Sequence, residues 1–408
     1  MRRILGFTAN VPVLPQLGVG FPLSLIPAAL VVPLRRTSPR PRFLSRLIFA
    51  ALLSAGAIWL SAAVNGTNVA TAAIGHALVF AVSLIAYRVT VRDNAEAAQL
   101  TFWFYLGYLG YALLLLPDAR VYNLGIEGFW KFGVGTPLAI IAVYLVIRAG
   151  GKPGAVGVTL LLFGSLSFVV GFRALGLACF TALFIIAARA AVGRRHGGRT
   201  IVVSLVALVV LAWSLQQALV SGVFGQDVAM RTASQTEDSG PAILGGRSEP
   251  PLSLAAIRLS PWIGWGSAQA IDNEALSLGV QYAQALGMGE QSNYMGYWVR
   301  RDGFVSLHSI FFGNWVEGGV LAAIFPLALI VLFLAAGFLA TGRWAPLVTL
   351  VAVKTAWDVL FSPLSSNRGV QLAVVAIVCL LALVEYRREK ADKGAAPPLR
   401  SRRSPARR

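Results

Sequence analysis

Charge is scarce in this chain. Asp, Glu, Lys and Arg make up 13% of its 408 residues and hydrophobic residues 57%, a balance that excludes a soluble globular domain. Cysteine occurs twice and histidine three times. Cys179 and Cys379 both fall inside apolar runs, where a small buried residue is the ordinary occupant, so no redox argument follows from them. No pair of carboxylates stands out, and no internal repeat of the kind that marks many transporters is visible. The N-terminus, Met1-Arg2-Arg3 followed by a stretch broken at Pro12 and Pro15, shows no small-residue cleavage site. It reads as an interfacial segment leading into a first span.

What the chain has instead is a series of continuous apolar runs. They approach the roughly 20 residues that a helix needs to cross a bilayer and are too long for barrel strands. Candidate spans are 17–34, 44–64, 69–87, 101–116, 133–148, 155–172, 174–191, 200–222, 310–340, 345–362 and 369–386. The expected fold is an all-α, polytopic integral membrane bundle of about eleven spans with one large extracytoplasmic loop. Residues 1–222 hold spans one to eight, 223–309 the loop, 310–386 the last three spans, and 387–408 a basic, disordered cytoplasmic tail near anionic lipid.

The net charge of +18 has to be read side by side. Basic residues gather at Arg35, Arg36, Arg40, Arg42 and Arg46, at Arg88 and Arg92, at Arg148 and Lys152, at Arg189, Arg194, Arg195 and Arg199, at Arg343 and in the tail. This set reads as cytoplasmic and removes the nucleic-acid hypothesis, although strict alternation of eleven spans does not put every one of these loops on one side. Asp118, Glu127 and the loop 223–309, which holds eight of the 17 acids, read as extracytoplasmic.

Within that loop, Pro251 to Arg258 is helix-like and suited to the membrane surface, and Pro261, Gly264 and Gly266 mark a tight turn. Arginine at such a surface offers a planar, permanently charged fork suited to diphosphate. His308 sits where the loop meets a membrane helix, and an imidazole there can touch the polar head of a lipid-linked substrate while the tail stays in the bilayer. Lys354 and Asp358 are four apart, so they share a helix face and neutralise each other. Trp262, Trp265, Trp298 and Trp315 suit an interfacial belt first and sugar stacking second.

Several of these segments, in order, resemble the signature of the O-antigen ligase and O-antigen polymerase family. They are Gly171-Phe172-Arg173-Ala174-Leu175-Gly176-Leu177, Gly246-Arg247, the Pro261-x-x-Gly264-x-Gly266 turn, and His308-Ser309 followed by Trp315-Val316-Glu317-Gly318-Gly319-Val320-Leu321. The motifs lie within about residues 160–340. Ser309 stands where the family commonly has Asn, Phe172 where it often has Ser, and Ala322 where a second Gly is usual.

The resemblance implies a glycosyltransferase on the outer face of the inner membrane, using no nucleotide sugar, metal or other cofactor. Its donor would be a glycan on undecaprenyl diphosphate, and its acceptor a hydroxyl of another glycan or a lipid-anchored sugar. Membrane lipids and polysaccharide-assembly proteins are the expected partners. Arg247 and Arg173 would hold the departing diphosphate and His308 would accept the acceptor's proton, with inversion at the anomeric carbon. Arg258, Glu317, Arg300 and Arg301 are the candidate substrate-binding residues. Competing readings remain: His308 as an interfacial anchor, the arginines as solvated or snorkelling charges, His76 as a packing histidine. A lipid-linked glycan flippase or exporter without catalytic activity is the rival function.

Overall fold

The computed structural model describes residues 2–13, 21–24, 42–115, 125–192, 217, 221–222, 226, 249–286, 298–299, 305, 307–362 and 368–395. Helices form over most of the apolar runs: α1 (Arg2–Thr8), α2 (Arg42–Asn65), α3 (Thr71–Thr90), α4 (Asn94–Leu115), α5 (Gly125–Arg148), α6 (Pro153–Val169), α7 (Arg173–Val192), α8 (Glu249–Leu259), α9 (Asn273–Ala285), α10 (Ile310–Leu339), α11 (Ala345–Phe361) and α12 (Arg368–Ala395). Among the described residues, six helices are long and apolar enough to cross a membrane: α2, α3, α5, α7, α10 and α12. Large apolar side chains stay on the outside of the bundle, as lipid contact allows. Phe49 is 66% exposed on α2 while Leu47, two positions away, is 1% exposed.

Local signals set the boundaries. Pro153 occupies the first turn of α6, where its missing N–H costs nothing. Asp93 accepts from Glu96 N at 2.8 Å while Glu96 Oε2 accepts from Arg92 N at 2.8 Å, a reciprocal cap that starts α4 earlier than the apolar run at 101 suggests. Within α5 a π-helical stretch, Phe129–Val134, adds length ahead of the expected start at 133.

Two expectations are corrected. Residues 21–24 do not belong to a membrane helix, because Phe21–Pro22 pairs antiparallel with Pro12–Val13; the proline-free periodicity a helix needs is missing here. The remainder of 17–34, and nearly all of 200–222, lie outside the described residues. The N-terminal helix α1 lies against α4. Gly6 and Gly107 permit that approach: a Cβ on Gly6 would come within 2.8 Å of Trp103 Cβ, and one on Gly107 would enter the Phe7 backbone. Gly107→Val is therefore expected to cost about 1 to 3 kcal/mol by separating the two helices, read as a lowered unfolding midpoint in detergent. Finally, α12 runs through Ala395 rather than ending at 386, its last turns carried by strong helix formers such as Glu385, Arg388, Glu389 and Lys390.

The bundle has two chemically distinct ends. At one, Arg343 donates to Ile147 O at 2.6 Å, Arg189 to Phe338 O at 3.1 Å, Asn94 meets Glu385, and Arg2 meets Glu96. Helix termini carrying Arg88, Arg92, Arg148, Lys152, Arg189 and Arg343 thus share one end, which is where the Arg2 helix begins too. Helix-by-helix alternation from α2 to α7 brings all these basic connections together. The other end gathers the α2–α3 turn, the α6–α7 turn, helices α8 and α9, and the start of α10.

Candidate functional site

The loop end is organised around a break in α10. Gly319 has φ 68° and ψ −167°, a conformation open essentially only to glycine. The interruption frees the backbone of Val316 to Val320, and the turn 261–266 takes those groups up. Trp265 N donates to Val316 O at 2.7 Å, Gly266 N to Glu317 O at 2.9 Å, and Val320 N to Pro261 O at 3.1 Å. Gly264 and Gly266 also have positive φ, 80° and 76°, and both lie against backbone: a Cβ on Gly264 would come within 2.5 Å of Gly319 N, and one on Gly266 within 2.7 Å of Ala62 Cα. Asn65 Nδ2 donates to Gly264 O at 3.1 Å, tying the end of α2 to the same turn. Two of the signature segments are thus halves of one clamp, although some fifty residues of chain separate them.

The tryptophans divide by role. Trp265 Nε1 donates to Ala256 O at 2.9 Å and Trp315 Nε1 to Pro261 O at 2.9 Å, so one indole ties the turn to α8 and the other ties α10 to the turn. Trp298 is fully buried beside Gly279 of α9, in the small core beneath α8 and α9. Trp262 is 75% exposed, as an interfacial or stacking residue would be, whereas the fully buried Trp298 cannot belong to such a belt.

His308 is half-buried immediately before α10. Ser309 is the N-cap of that helix, its Oγ accepting from Phe312 N at 3.1 Å, and so fixes the backbone from which His308 projects. Asparagine caps as well as serine. Ser309→Asn is expected to leave the unfolding midpoint nearly unchanged, whereas Ser309→Ala costs about 1 kcal/mol, measurable as a lowered midpoint in detergent. The Glu317 carboxylate accepts from the N–H of Ala268, bracing the short turn Ala268–Ala270.

Arg258 is exposed on α8 and donates to the Tyr282 hydroxyl of α9 at 2.7 Å. That bond pushes the guanidinium further up from its ordinary value, so Arg258 stays charged. Arg173 is half-buried as the first residue of α7, next to a turn in which Gly171 (φ 90°) faces Glu127. The ring of the preceding Phe172 lies 5.9 Å from Lys354 Nζ on α11, and α7 packs against α6 and α11. Arg247, Arg300 and Arg301 lie outside the described residues. Among the described residues, no group of three His, Cys, Asp or Glu side chains is placed to hold a metal ion.

Sequence reasoning missed Arg368. It joins the expected Lys354–Asp358 pair, with Nη1 3.0 Å from Asp358 Oδ2. A lone arginine ten positions past an aspartate, across a helix break, carries no spacing signal, and its position at the head of an apolar run was the available hint. No family model, curated protein or solved structure matches this chain.

Proposed function

We propose that the chain is a membrane glycosyltransferase that polymerises or ligates glycan from an undecaprenyl-diphosphate-linked donor onto a sugar hydroxyl. The observation that carries this reading is the interlock of the Pro261–Gly266 turn with the Glu317–Val320 break, beside the Ser309-capped His308. Three segments that resemble the ligase and polymerase signature serve one construction at one end of the bundle. Under the positive-inside rule the basic end faces the cytoplasm and the loop end the other side of the inner membrane.

In the proposed reaction the acceptor oxygen attacks the anomeric carbon as the bond to the diphosphate oxygen breaks. The proton passes to His308 and the electron pair leaves with the diphosphate. Arg247 and Arg173 stabilise the charge that builds there, while Arg258, Arg300, Arg301 and Glu317 position the substrates. Inversion follows from the single displacement.

The rival reading, a lipid-linked glycan transporter, draws support from the buried Lys354–Asp358–Arg368 group, since ionisable residues inside a bundle mark transport paths as well as enzyme sites. Reconstitution in liposomes with an undecaprenyl-diphosphate-linked oligosaccharide separates the two. The wild type is expected to give longer lipid-linked glycans or transfer to an added acceptor. His308→Ala is expected to slow product formation by about 10²- to 10⁴-fold and Arg247→Ala by about 10²- to 10³-fold. Equal product from both variants removes the site assignment. Translocation of donor without any product favours the transporter.

A further inference from the structure

The scheme above leaves one buried ionic cluster unused, and its charges do not balance. Lys354 and Asp358 on α11 are 5% and 3% exposed, and Lys354 Nζ lies 2.7 Å from both carboxylate oxygens. Arg368, at the head of α12, donates through Nη1 to Asp358 at 3.0 Å and to Gln371 Oε1 at 2.9 Å. Ser362 Oγ adds a 3.1 Å bond to Asp358 Oδ1. One carboxylate therefore serves two cations and a hydroxyl.

Among the described residues, Asp358 is the one carboxylate within ion-pair distance of Lys354 and Arg368. Gln371 Nε2 reaches the Tyr105 hydroxyl at 3.4 Å, and Tyr108 and the buried His76 lie within electrostatic reach of Arg368. Gln371, Tyr105, Tyr108 and His76 bring no carboxylate to the cluster. Phe172 faces Lys354 and leads directly into Arg173, another cation, with Glu127 beyond it against Gly171. The Nε of Arg368 is buried with no hydrogen-bond partner among the described residues. An uncompensated buried charge and an unmet guanidinium donor both call for an acceptor anion.

We infer that Lys354, Arg368 and the Tyr105 hydroxyl, joined to Arg368 through Gln371, form an anion-binding site that takes a phosphate or diphosphate group entering from the loop end. A phosphate oxygen supplies what the cluster lacks: an acceptor for Arg368 Nε and one further negative charge. Asp358 keeps the two cations together while the site is empty. The inference rests on the proposed glycosyl transfer only for the owner of the phosphate, which in that reading is the lipid carrier.

The test uses the full-length protein in nanodiscs with three probes: undecaprenyl diphosphate, inorganic diphosphate and uncharged undecaprenol. The wild type is expected to bind undecaprenyl diphosphate with a raised unfolding midpoint, and undecaprenol without one. Arg368→Gln and Lys354→Met each leave a neutral pair around Asp358 and are expected to weaken binding about tenfold or more, with Arg368→Lys weakened less. Equal binding of inorganic diphosphate identifies a free phosphate as sufficient; binding of the lipid form alone identifies the carrier. Unchanged affinity in Lys354→Met overturns the site even if Arg368→Gln does not fold, as does absence of binding by the wild type. Weakened binding in the variants of a protein that makes no glycan product leaves the site standing and removes the glycosyl-transfer reading instead.

Discussion

Gly319→Ala is expected to destabilise the folded protein by about 3 to 5 kcal/mol. Two costs add. The backbone at φ 68° and ψ −167° is strained for any residue with a Cβ, and that Cβ would run into the Trp262 carbonyl. Relief requires either straightening α10, which breaks the bonds from Trp265, Gly266 and Val320, or expelling the turn 261–266, which exposes Trp265 and Trp315. Gly313→Ala, earlier in the same helix, is the control: a Cβ there meets nothing within 4 Å, so a neutral effect or a gain of about 0.5 to 1 kcal/mol is expected. Unfolding in detergent measures both. Similar midpoints for the two variants would refute the clamp as a stabilising device.

Asp358→Ala is expected to cost about 3 to 5 kcal/mol, because it leaves Lys354 and Arg368 buried against each other with no carboxylate between them. Arg368→Gln removes a cation but leaves Lys354–Asp358 neutral, and is expected to cost only the hydrogen bonds to a charged partner, about 1.5 to 3 kcal/mol. The ordering is the discriminating result. An Asp358→Ala protein as stable as Arg368→Gln would mean that water reaches the cluster freely and that its charges are not coupled through burial.

The apolar runs already locate most helices, because a stretch long and apolar enough to sit in a bilayer has few other folded options; α3, α7 and α11 follow them within a few residues. The Lys354–Asp358 pair was equally visible, since four positions on one helix place two side chains together whatever surrounds them. What escaped were contacts between distant segments. Nothing local in Asn65 points to Gly264, nor in Gly6 to Gly107, and the break at Gly319 is written in a glycine pair that an unbroken apolar helix tolerates equally well. Trp298 misled for a related reason: an amphipathic ring suits an interface, yet this one lies fully buried in the small core beneath α8 and α9. His308 was legible as a boundary residue, but the serine cap that fixes its backbone emerges only from the helix start.

The reciprocal fit of Gly264 against Gly319 also bears on how this protein can be re-engineered. Chimeras that exchange the whole outer loop for that of another chain will fail at the 261–266 seam unless the 316–320 segment travels with it, since each half is shaped by the other's backbone. Helix α9, capped by its own Asp272 and resting on α8 and Trp298, shows no such tie to α10 among the described residues, so a graft confined to residues 273–285 is the workable unit for altering what the loop end accepts.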